Sequence, residues 1–367
     1  MTTAAMITRA AATGLVFRKG TQASARAATT TIACLVCQQQ QHRNFAISSR
    51  RLASTRKKDS KDVTTDAKPI PGLSKTEGTS PDSPLANAPR SYGKKTTSFT
   101  PTPLSRPIGM NYPPEAGQNT GIDTRSIQQR RDDFVDYDKH LVRRQYLKSK
   151  MARPYFRDWI NLQFHKGKTF LSPPRLFKSD LSLYFPNLHG RTLASRKPAD
   201  TTPLLEGRAT VVALFSGMWA ENQVQTFISP ESNPALHSAL VASEGKAQLV
   251  QINVEEDWMK LMLIKLFSGS LKKKVGKENW DKYLLVHKGI SDEIRESIGL
   301  LNSKVGYTYL VDHDCRIRWA GSGSAEPGEP EGLVKGIGRI LEEMKQEGVG
   351  ANFVRKPVVG KHAPEQK

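Results

Sequence analysis

Residues 211–222 read VVALFSGMWAEN, and this short stretch decides the fold. The apolar run 209–215 is rich in β-branched side chains and predicts a buried strand. It ends in the turn-forming residues 216–219, Ser-Gly-Met-Trp, and a helix is predicted over 221–228. Redox proteins built on such a strand, turn and helix place a cysteine at the turn, where the helix N-terminus lowers the pKa of the thiol. This turn contains no cysteine, so the motif predicts a scaffold without thiol chemistry.

The rest of the C-terminal half alternates between strands and helices. The predicted elements are helix 234–243, strand 247–254, helix 255–267, strand 283–287, helix 292–301, strands 307–311 and 316–320, and helix 332–346. Strand, helix, strand, helix, hairpin and closing helix is the order of a thioredoxin-like α/β domain, in which a central sheet carries flanking helices. We therefore expect a thioredoxin-like domain over 203–347, followed by a flexible C-terminal tail over 348–367.

The N-terminal part of the chain has the composition of a targeting segment followed by a linker. The first 58 residues contain ten Lys and Arg and no Asp or Glu. This pattern is typical of a mitochondrial transit peptide, which we place at 1–45; the alternative is a disordered basic tail. Residues 59–105 contain seven prolines and few large apolar side chains, so a disordered linker is predicted over 46–105.

The chain is strongly basic, with a formal net charge of +20 that falls to +10 without its first 58 residues. A basic excess suits anionic lipid head groups or RNA, although ordinary proteins of the mitochondrial matrix share it. We find no run of about 18 uncharged apolar residues, the length that a membrane-spanning helix needs. Any membrane association is therefore expected to be peripheral.

Between the linker and the domain, residues 106–202 are predicted to form a helical and extended extension. A helix is expected over 130–150, where apolar residues recur at helical spacing, acidic residues lie near the start and basic residues near the end. Pro154 should interrupt it. The following stretch 155–164, YFRDWINLQF, contains six large apolar side chains.

The polar motifs of the chain give no strong signal for catalysis, a cofactor or a metal. Residues 166–169, Lys-Gly-Lys-Thr, lack the earlier glycine of a phosphate-binding loop. The turn 312–315, Asp-His-Asp-Cys, holds metal-capable side chains, but adjacent residues of a short turn rarely converge on one ion. Cys315 stands where a turn often has glycine, and an accessible thiol is expected there. The CxxC of Cys34 and Cys37 lies in the predicted transit peptide, without a flanking strand.

The most informative apolar stretch is 258–267, WMKLMLIKLF, followed by Lys272-Lys273-Lys274. A helix here is apolar on nearly all sides, and a single face suffices to cover its own sheet. Methionine-rich surfaces adapt to varied apolar ligands, and lysines beside them suit a membrane surface. The alternative is a core helix between the sheet and the aromatic stretch 155–164. For Trp219 the alternatives are likewise a binding role or a structural cap at the edge of the core.

Several motifs together resemble a known family, the mitochondrial ATP synthase assembly factors that escort subunit 6, the a subunit of the proton-conducting Fo sector. The motifs are DYDKHL (136–141), RPYFRDW (153–159), GKTF (167–170), LYFPNL (183–188), FSGMW (215–219) and the hairpin 307–319. The resemblance spans about 105–347. It implies a thioredoxin-like domain without redox cysteines, a matrix-side position on the inner membrane, and a chaperone role toward new subunit 6 before it meets the subunit c ring.

The function predicted from these observations is that of a non-enzymatic assembly chaperone that needs no cofactor, metal or nucleic acid. Its expected partners are subunit 6 and the subunit c ring. The candidate client-binding residues are Tyr155, Phe156, Trp159, Trp219, Trp258, Met259 and Met262, and the candidate membrane-surface residues are Lys272, Lys273 and Lys274. Two alternatives remain open: a basic protein associated with mitochondrial RNA or ribosomes, and a thiol peroxidase or reductase that uses Cys315.

Overall fold

A mixed sheet lies at the centre of the part of the chain that the computed structural model describes, residues 85–348 without 93, 94, 124 and 196. The strands are β1 (His189–Thr192), β2 (Pro198–Asp200), β3 (Ala209–Phe215), β4 (Ala247–Val254), β5 (Tyr283–Val286), β6 (Tyr307–Val311) and β7 (Ile317–Ser322). The helices are α1 (Ile127–Val135), α2 (Tyr137–Met151), α3 (Arg157–Asn161), α4 (Thr202–Leu205), α5 (Gly217–Ile228), α6 (Pro234–Ala242), α7 (Trp258–Leu266), α8 (Ser268–Val275), α9 (Asp292–Ser297) and α10 (Glu329–Gln346). The predicted transit peptide, the linker before residue 85 and the tail after residue 348 lie outside the described residues.

The strand order identifies the fold. Across the sheet the strands follow the order β2-β1-β5-β4-β3-β6-β7. β3 is parallel to β4 and antiparallel to β6, which pairs antiparallel with β7. The block β4-β3-β6-β7 with its connecting helices is the thioredoxin-like arrangement, so the predicted fold class is confirmed. The strands predicted at 209–215, 247–254 and 307–311 coincide with β3, β4 and β6, because runs rich in apolar residues are typical of central strands buried on both faces.

Alternate residues of the central strand β3 point to opposite faces of the sheet, and each face has its own core. Val211 packs with residues of α5, α6 and α10 on one face. Val212 belongs to the cluster on the other face, which includes α9 residues and Phe170, Phe185 and Leu188 of the N-terminal extension. The extension therefore takes the place of a helical layer over much of the second face.

The structure corrects the predicted disordered linker, 46–105, over its described residues from 85 onward. Leu85 and Leu104 are buried in the second core, and the Leu104 N–H donates to the Leu171 carbonyl at 3.1 Å. The composition of the segment is polar on average, but burial depends on where the few apolar side chains lie. Isolated leucines in a proline-rich strap are enough to anchor it.

The extension over 106–202 and the domain predicted over 203–347 also share the sheet. β1 and β2 come from the extension, and β1 pairs antiparallel with β5, with Arg191 opposite Leu285. The sequences of these two strands, HGRT and PAD, are short and polar, so no alternation of apolar residues marks them. The boundary at residue 203 therefore does not separate two structural units.

The helix predicted over 130–150 is two helices, α1 and α2. The carboxylate of Asp136 accepts hydrogen bonds from two backbone N–H groups of the following turn, which makes it the N-cap of α2. α2 therefore starts at a position where the spacing of apolar residues predicts one uninterrupted helix. α2 ends at Met151, so the interruption expected at Pro154 is confirmed.

Two further helix ends differ from the prediction because local backbone features set them. The helix predicted from residue 255 begins at Trp258, where the Asp257 side chain accepts from the Met259 N–H as N-cap. The helix predicted to reach residue 301 ends at Ser297. Gly299 follows with φ +75°, a left-handed conformation that stops a helix, and a β-carbon there would lie 2.9 Å from the Leu85 side chain.

The Lys-Gly-Lys-Thr motif, 166–169, has a structural role. Lys168 is buried, and its Nζ lies 2.8 Å from Glu329 Oε2 at the start of α10. The same ammonium donates to the carbonyls of Ser322 at 3.0 Å and Ser324 at 2.8 Å. A buried charge is tolerated only when it is paired and hydrogen-bonded, and this one is saturated. The motif therefore fastens the extension to β7 and α10.

Replacing Lys168 by Met should destabilise the fold by about 3 kcal/mol, because the Glu329 carboxylate would be left buried without its partner. The free energy of unfolding in urea, followed by tryptophan fluorescence, measures the effect. Lys335→Met, an exposed position in the same helix as Glu329, is the matched control and should change stability by less than about 0.5 kcal/mol. Equal effects of the two substitutions would contradict the assigned role of Lys168.

Candidate functional site

A cleft of about 250 Å³ opens at the carboxyl ends of β3 and β4. Its walls come from Ser216 after β3, residues 254–257 after β4, the loop 303–305 before β6, and Tyr155 of the extension. In an open α/β sheet, ligands bind at the carboxyl ends of the parallel strands. The cleft also includes the turn where redox relatives of this fold carry their thiols. It is therefore the candidate functional site.

Four of the six charged residues that line the cleft form ion pairs with one another. Lys260 Nζ lies 3.5 Å from Glu255 Oε1, and Arg295 forms an ion pair with Glu256. The carboxylate of Asp257 is engaged as the N-cap of α7. The sixth charged residue, Lys304, contacts an aromatic ring. Within the described residues, no group of three or more His, Cys, Asp or Glu side chains is placed to hold a metal ion.

Exposed aromatic residues form one rim of the cleft. Tyr155, Phe156 and Trp159 are 84%, 64% and 52% exposed, and the first two rings meet edge to face at 4.9 Å. Lys304 places its ammonium 5.7 Å from the centre of the Trp159 ring, an attractive arrangement. Large apolar side chains held at the surface of a folded chain are typical of a binding surface.

The aromatic rim is held in place by hydrogen bonds to the loop before β6. The Ser303 hydroxyl donates to the Asp158 carboxylate at 2.6 Å, and the Asn302 side chain donates to the Asp158 carbonyl at 3.0 Å. The rim therefore has a defined position relative to the cleft. The loop residues Ser303 and Lys304 were not anticipated. Their position just before the first strand of the hairpin is the one signal that could have indicated them.

Helix α7 lies on another side of the cleft, and none of its residues is buried. Trp258, Met259 and Met262 are between 59% and 66% exposed. The alternative interpretation of this stretch as a core helix between the sheet and residues 155–164 is therefore wrong. Its apolar character is not explained by packing within the described part of the chain. The predicted client-binding role of these three residues stays a prediction.

Trp219 lies in the first turn of α5, which starts at Gly217 with φ +79°, four residues before the predicted start. Its side chain is 51% exposed, and that of Met218 is 77% exposed. Half of the Trp219 side chain is covered, so a structural cap at the edge of the core stays open as the alternative. A binding role for Trp219 remains a prediction.

The lysine run belongs to α8, and its three members differ. Lys274 Nζ forms an ion pair with Glu221 at 2.7 Å, and the Lys272 ammonium lies 4.7 Å from the centre of the Trp280 ring. Lys273 is exposed. Two of the three predicted membrane-surface lysines therefore also have contacts within the chain, and their role at a membrane stays a prediction.

Cys315 is fully buried, which corrects the expectation of an accessible thiol. It joins the core cluster on the second face, and its φ of +64° is the left-handed conformation that the turn prediction suggested. Nearby, burial raises the pKa of the Asp312 carboxyl, although the Arg316 N–H and the Arg318 guanidinium act to lower it. A peroxidase or reductase needs a thiolate that substrate can reach, so the position of Cys315 contradicts that alternative.

Comparison with known proteins identifies the family. The family model described as ATP10 protein matches residues 87–340. The chain belongs to the ATP10 family. A relative from Candida glabrata named mitochondrial ATPase complex subunit ATP10 is 30% identical over 244 residues, covering 66% of this chain and 86% of its own. The protein of the same name from Eremothecium gossypii is 29% identical over 241 residues, covering 65% and 85%. The ATP10 match begins within the strap that precedes residue 106.

Solved structures similar to this ATP10 family member include thiol-disulfide proteins. A secreted thiol-disulfide isomerase from Corynebacterium glutamicum is 11% identical and covers 48% of this chain and 99% of its own, with a TM-score of 0.33. A putative thiol:disulfide interchange protein DsbE from Chlorobium tepidum is 12% identical, covers 44% and 96%, and has a TM-score of 0.29. The fold assignment rests on the strand order and not on these scores. No helix among residues 85–348, as described, is long and apolar enough to cross a bilayer.

The burial of Cys315 predicts that its thiol is inert in the folded protein. In a chain carrying Cys34→Ser and Cys37→Ser, a thiol-specific chromogenic reagent should not react in native buffer and should titrate a single thiol in guanidinium chloride. Adding Val241→Cys, a position that is 82% exposed on α6, provides the positive control and should react at once. Native reactivity of Cys315 as fast as that of the control would contradict its assigned place in the core.

Proposed function

We propose that this chain is a non-enzymatic assembly factor of the mitochondrial ATPase complex. In this proposal it binds newly made subunit 6 and promotes its incorporation, with the subunit c ring, into the Fo sector. It does so from the matrix side of the inner membrane, as a peripheral protein imported through a transit peptide. The observation that carries the proposal is the cysteine-free cleft surrounded by exposed aromatic and methionine side chains. The names of the relatives support a role in the mitochondrial ATPase complex, and the motif resemblance supports subunit 6 as the client.

The chemistry of the client fits this surface. A membrane protein that has not yet packed against its partners exposes apolar surface and intramembrane polar groups, and both favour aggregation until they are covered. The proposed client-binding residues offer rigid aromatic area at Tyr155, Phe156 and Trp159, together with Trp219. The adjacent first two turns of α7 add Trp258 and two methionines, whose flexible side chains adapt to an irregular partner. Such a surface shields a segment without reacting with it.

Several features of the cleft favour binding over catalysis. Two ion pairs engage four of its six charged lining residues, its turn carries no thiol, and Cys315 is buried in the core of the second face. A thioredoxin-like scaffold used in this way keeps the cleft at the carboxyl ends of the parallel strands and lacks the reactive thiol. The proposal therefore requires no catalytic turnover.

Polar substitution of three proposed anchors, Trp159→Gln, Trp258→Gln and Met262→Gln together, should lower crosslinking to newly synthesised subunit 6 at least about tenfold. Each removes an exposed apolar contact of about 1 kcal/mol while leaving both cores untouched. The crosslinked product is measured in isolated mitochondria after labelling of mitochondrial translation. Circular dichroism and the urea midpoint of the purified variant should remain those of the unsubstituted chain.

The matched control replaces three exposed apolar residues away from the cleft, Ile122→Gln, Leu181→Gln and Val241→Gln, which are 66%, 66% and 82% exposed. This variant removes a similar apolar area and should crosslink to subunit 6 normally. Normal crosslinking of the anchor variant, or an equal loss in the control, would refute the proposed client-binding surface.

A further inference from the structure

Helices α7 and α8 form a unit whose composition differs from the rest of the chain. Residues 258–277 contain six lysines and no Asp or Glu, although acidic residues make up 35 of the 367 positions in the whole sequence. Neither helix contains a buried residue. The unit is therefore both the most consistently basic stretch of the domain and one of its most exposed apolar ones.

The α7–α8 unit is attached to the domain through α8. Leu271 and Val275 pack, partly buried, against the core of the first face, beside Trp280. The Trp280 indole N–H donates to the Lys272 carbonyl at 2.9 Å, which fixes the C-terminal end of the unit. α7 joins α8 at Phe267, a residue shared by both caps, and adds no buried residue to either core. Because α8 is packed against the domain, α7 is held beside it with its apolar side exposed.

The exposed apolar residues of α7 form a single stripe. They are Trp258, Met259, Met262, Leu263 and Leu266, each between 51% and 71% exposed. At 3.6 residues per turn they fall within an arc of about 140° around the helix axis. Leu261 and Ile264 lie on the opposite side and are half-buried, whereas Lys260 and Lys265 lie at the two borders of the stripe. An apolar stripe bordered by lysines is the pattern of a helix that lies in a membrane interface.

We propose that the α7–α8 unit docks this chain onto the surface of an anionic phospholipid bilayer. Leu263 and Leu266, in the half of α7 farther from the cleft, and Phe267 at the junction with α8 enter the head-group region. The exposed Lys265, Lys273 and Lys277 contact lipid phosphates. Trp258 and its neighbours in the first turn stay beside the cleft, at the level where a membrane client emerges. This inference deepens the proposed function and rests on it only for the presence of that client.

The charges of the unit favour a lipid surface over a protein partner. Lys260, Lys272 and Lys274 are engaged with a carboxylate or a ring within the chain, as described above. The remaining lysines, Lys265, Lys273 and Lys277, are exposed and take part in no ion pair or ring contact among residues 85–348 as described. Because no acidic residue lies between them in the sequence, these three ammonium groups are suited to bind neighbouring phosphates of a lipid surface. Such lysines close to an anionic membrane each strengthen binding about fivefold.

A fluorophore that responds to polarity, attached at Leu266→Cys, tests this docking directly in the full chain. The chain carries Cys34→Ser and Cys37→Ser, and Cys315 is buried, so the label goes to one site. Vesicles of phosphatidylcholine with added anionic phospholipid should shift the emission to the blue. Nitroxide labels on the lipid chains near the head groups should quench it. The same label at Val241→Cys, on the exposed side of α6, is the matched control and should show neither effect.

The charge requirement is tested by the triple change Lys265→Glu, Lys273→Glu and Lys277→Glu, which should weaken vesicle binding roughly hundredfold or more. Lys178→Glu, Lys335→Glu and Lys345→Glu alter the net charge by the same amount at exposed positions elsewhere and should have little effect. The proposal is overturned if position 266 shows no quenching, if position 241 is quenched equally, if neutral vesicles give the same signal, or if both triple variants behave alike. No client is present in this assay, so its outcome is independent of the crosslinking result.

Discussion

The need to cover both faces of one apolar sheet governs the structure of this chain. β3 is buried along its whole length, with neighbouring residues that point into two different cores. Helices α5, α6 and α10 cover one face, but α9 is too short to cover the other. The extension supplies the missing layer, with Phe170 and Phe185 in the core and the buried Lys168–Glu329 pair as its fastening. With both faces of the sheet covered by other elements, helix α7 adds no buried residue to either core.

The sequence was sufficient for the central elements and insufficient for the strap. Mostly apolar runs with β-branched side chains predicted β3, β4 and β6 with their observed bounds, because two-sided burial leaves a strong local pattern. The strap from residue 85 lacks such a pattern, because its burial depends on single leucines. These leucines pack in the second core against residues that are distant in sequence. The aromatic and methionine residues of the candidate site could be predicted from the sequence, because the chain has more large apolar side chains there than one core can bury. The loop residues Ser303 and Lys304 could not, because their proximity to Asp158 and Trp159 arises only from the tertiary fold.

The arrangement suggests how a redox scaffold can serve as a holding surface. The carboxyl edge of the parallel strands remains a cleft, but its turn offers Ser216 and Trp219 in place of thiols, and its ionic groups neutralise one another. Apolar side chains then surround the cleft on the side of α3 and of α7. A continuous basic and apolar unit next to that cleft would bring it to the bilayer, where a hydrophobic client is released. In the proposed function, client binding and membrane docking thus use adjacent but separable parts of one surface.

The most direct measurement of the central claim is amide hydrogen exchange of the protein with and without bound subunit 6 in lipid nanodiscs. The account predicts slower exchange in three separate stretches that meet at the cleft, 155–162, 216–222 and 258–263, with unchanged exchange in α10. Protection confined to α10 or α6, with none of the three cleft stretches affected, would contradict it.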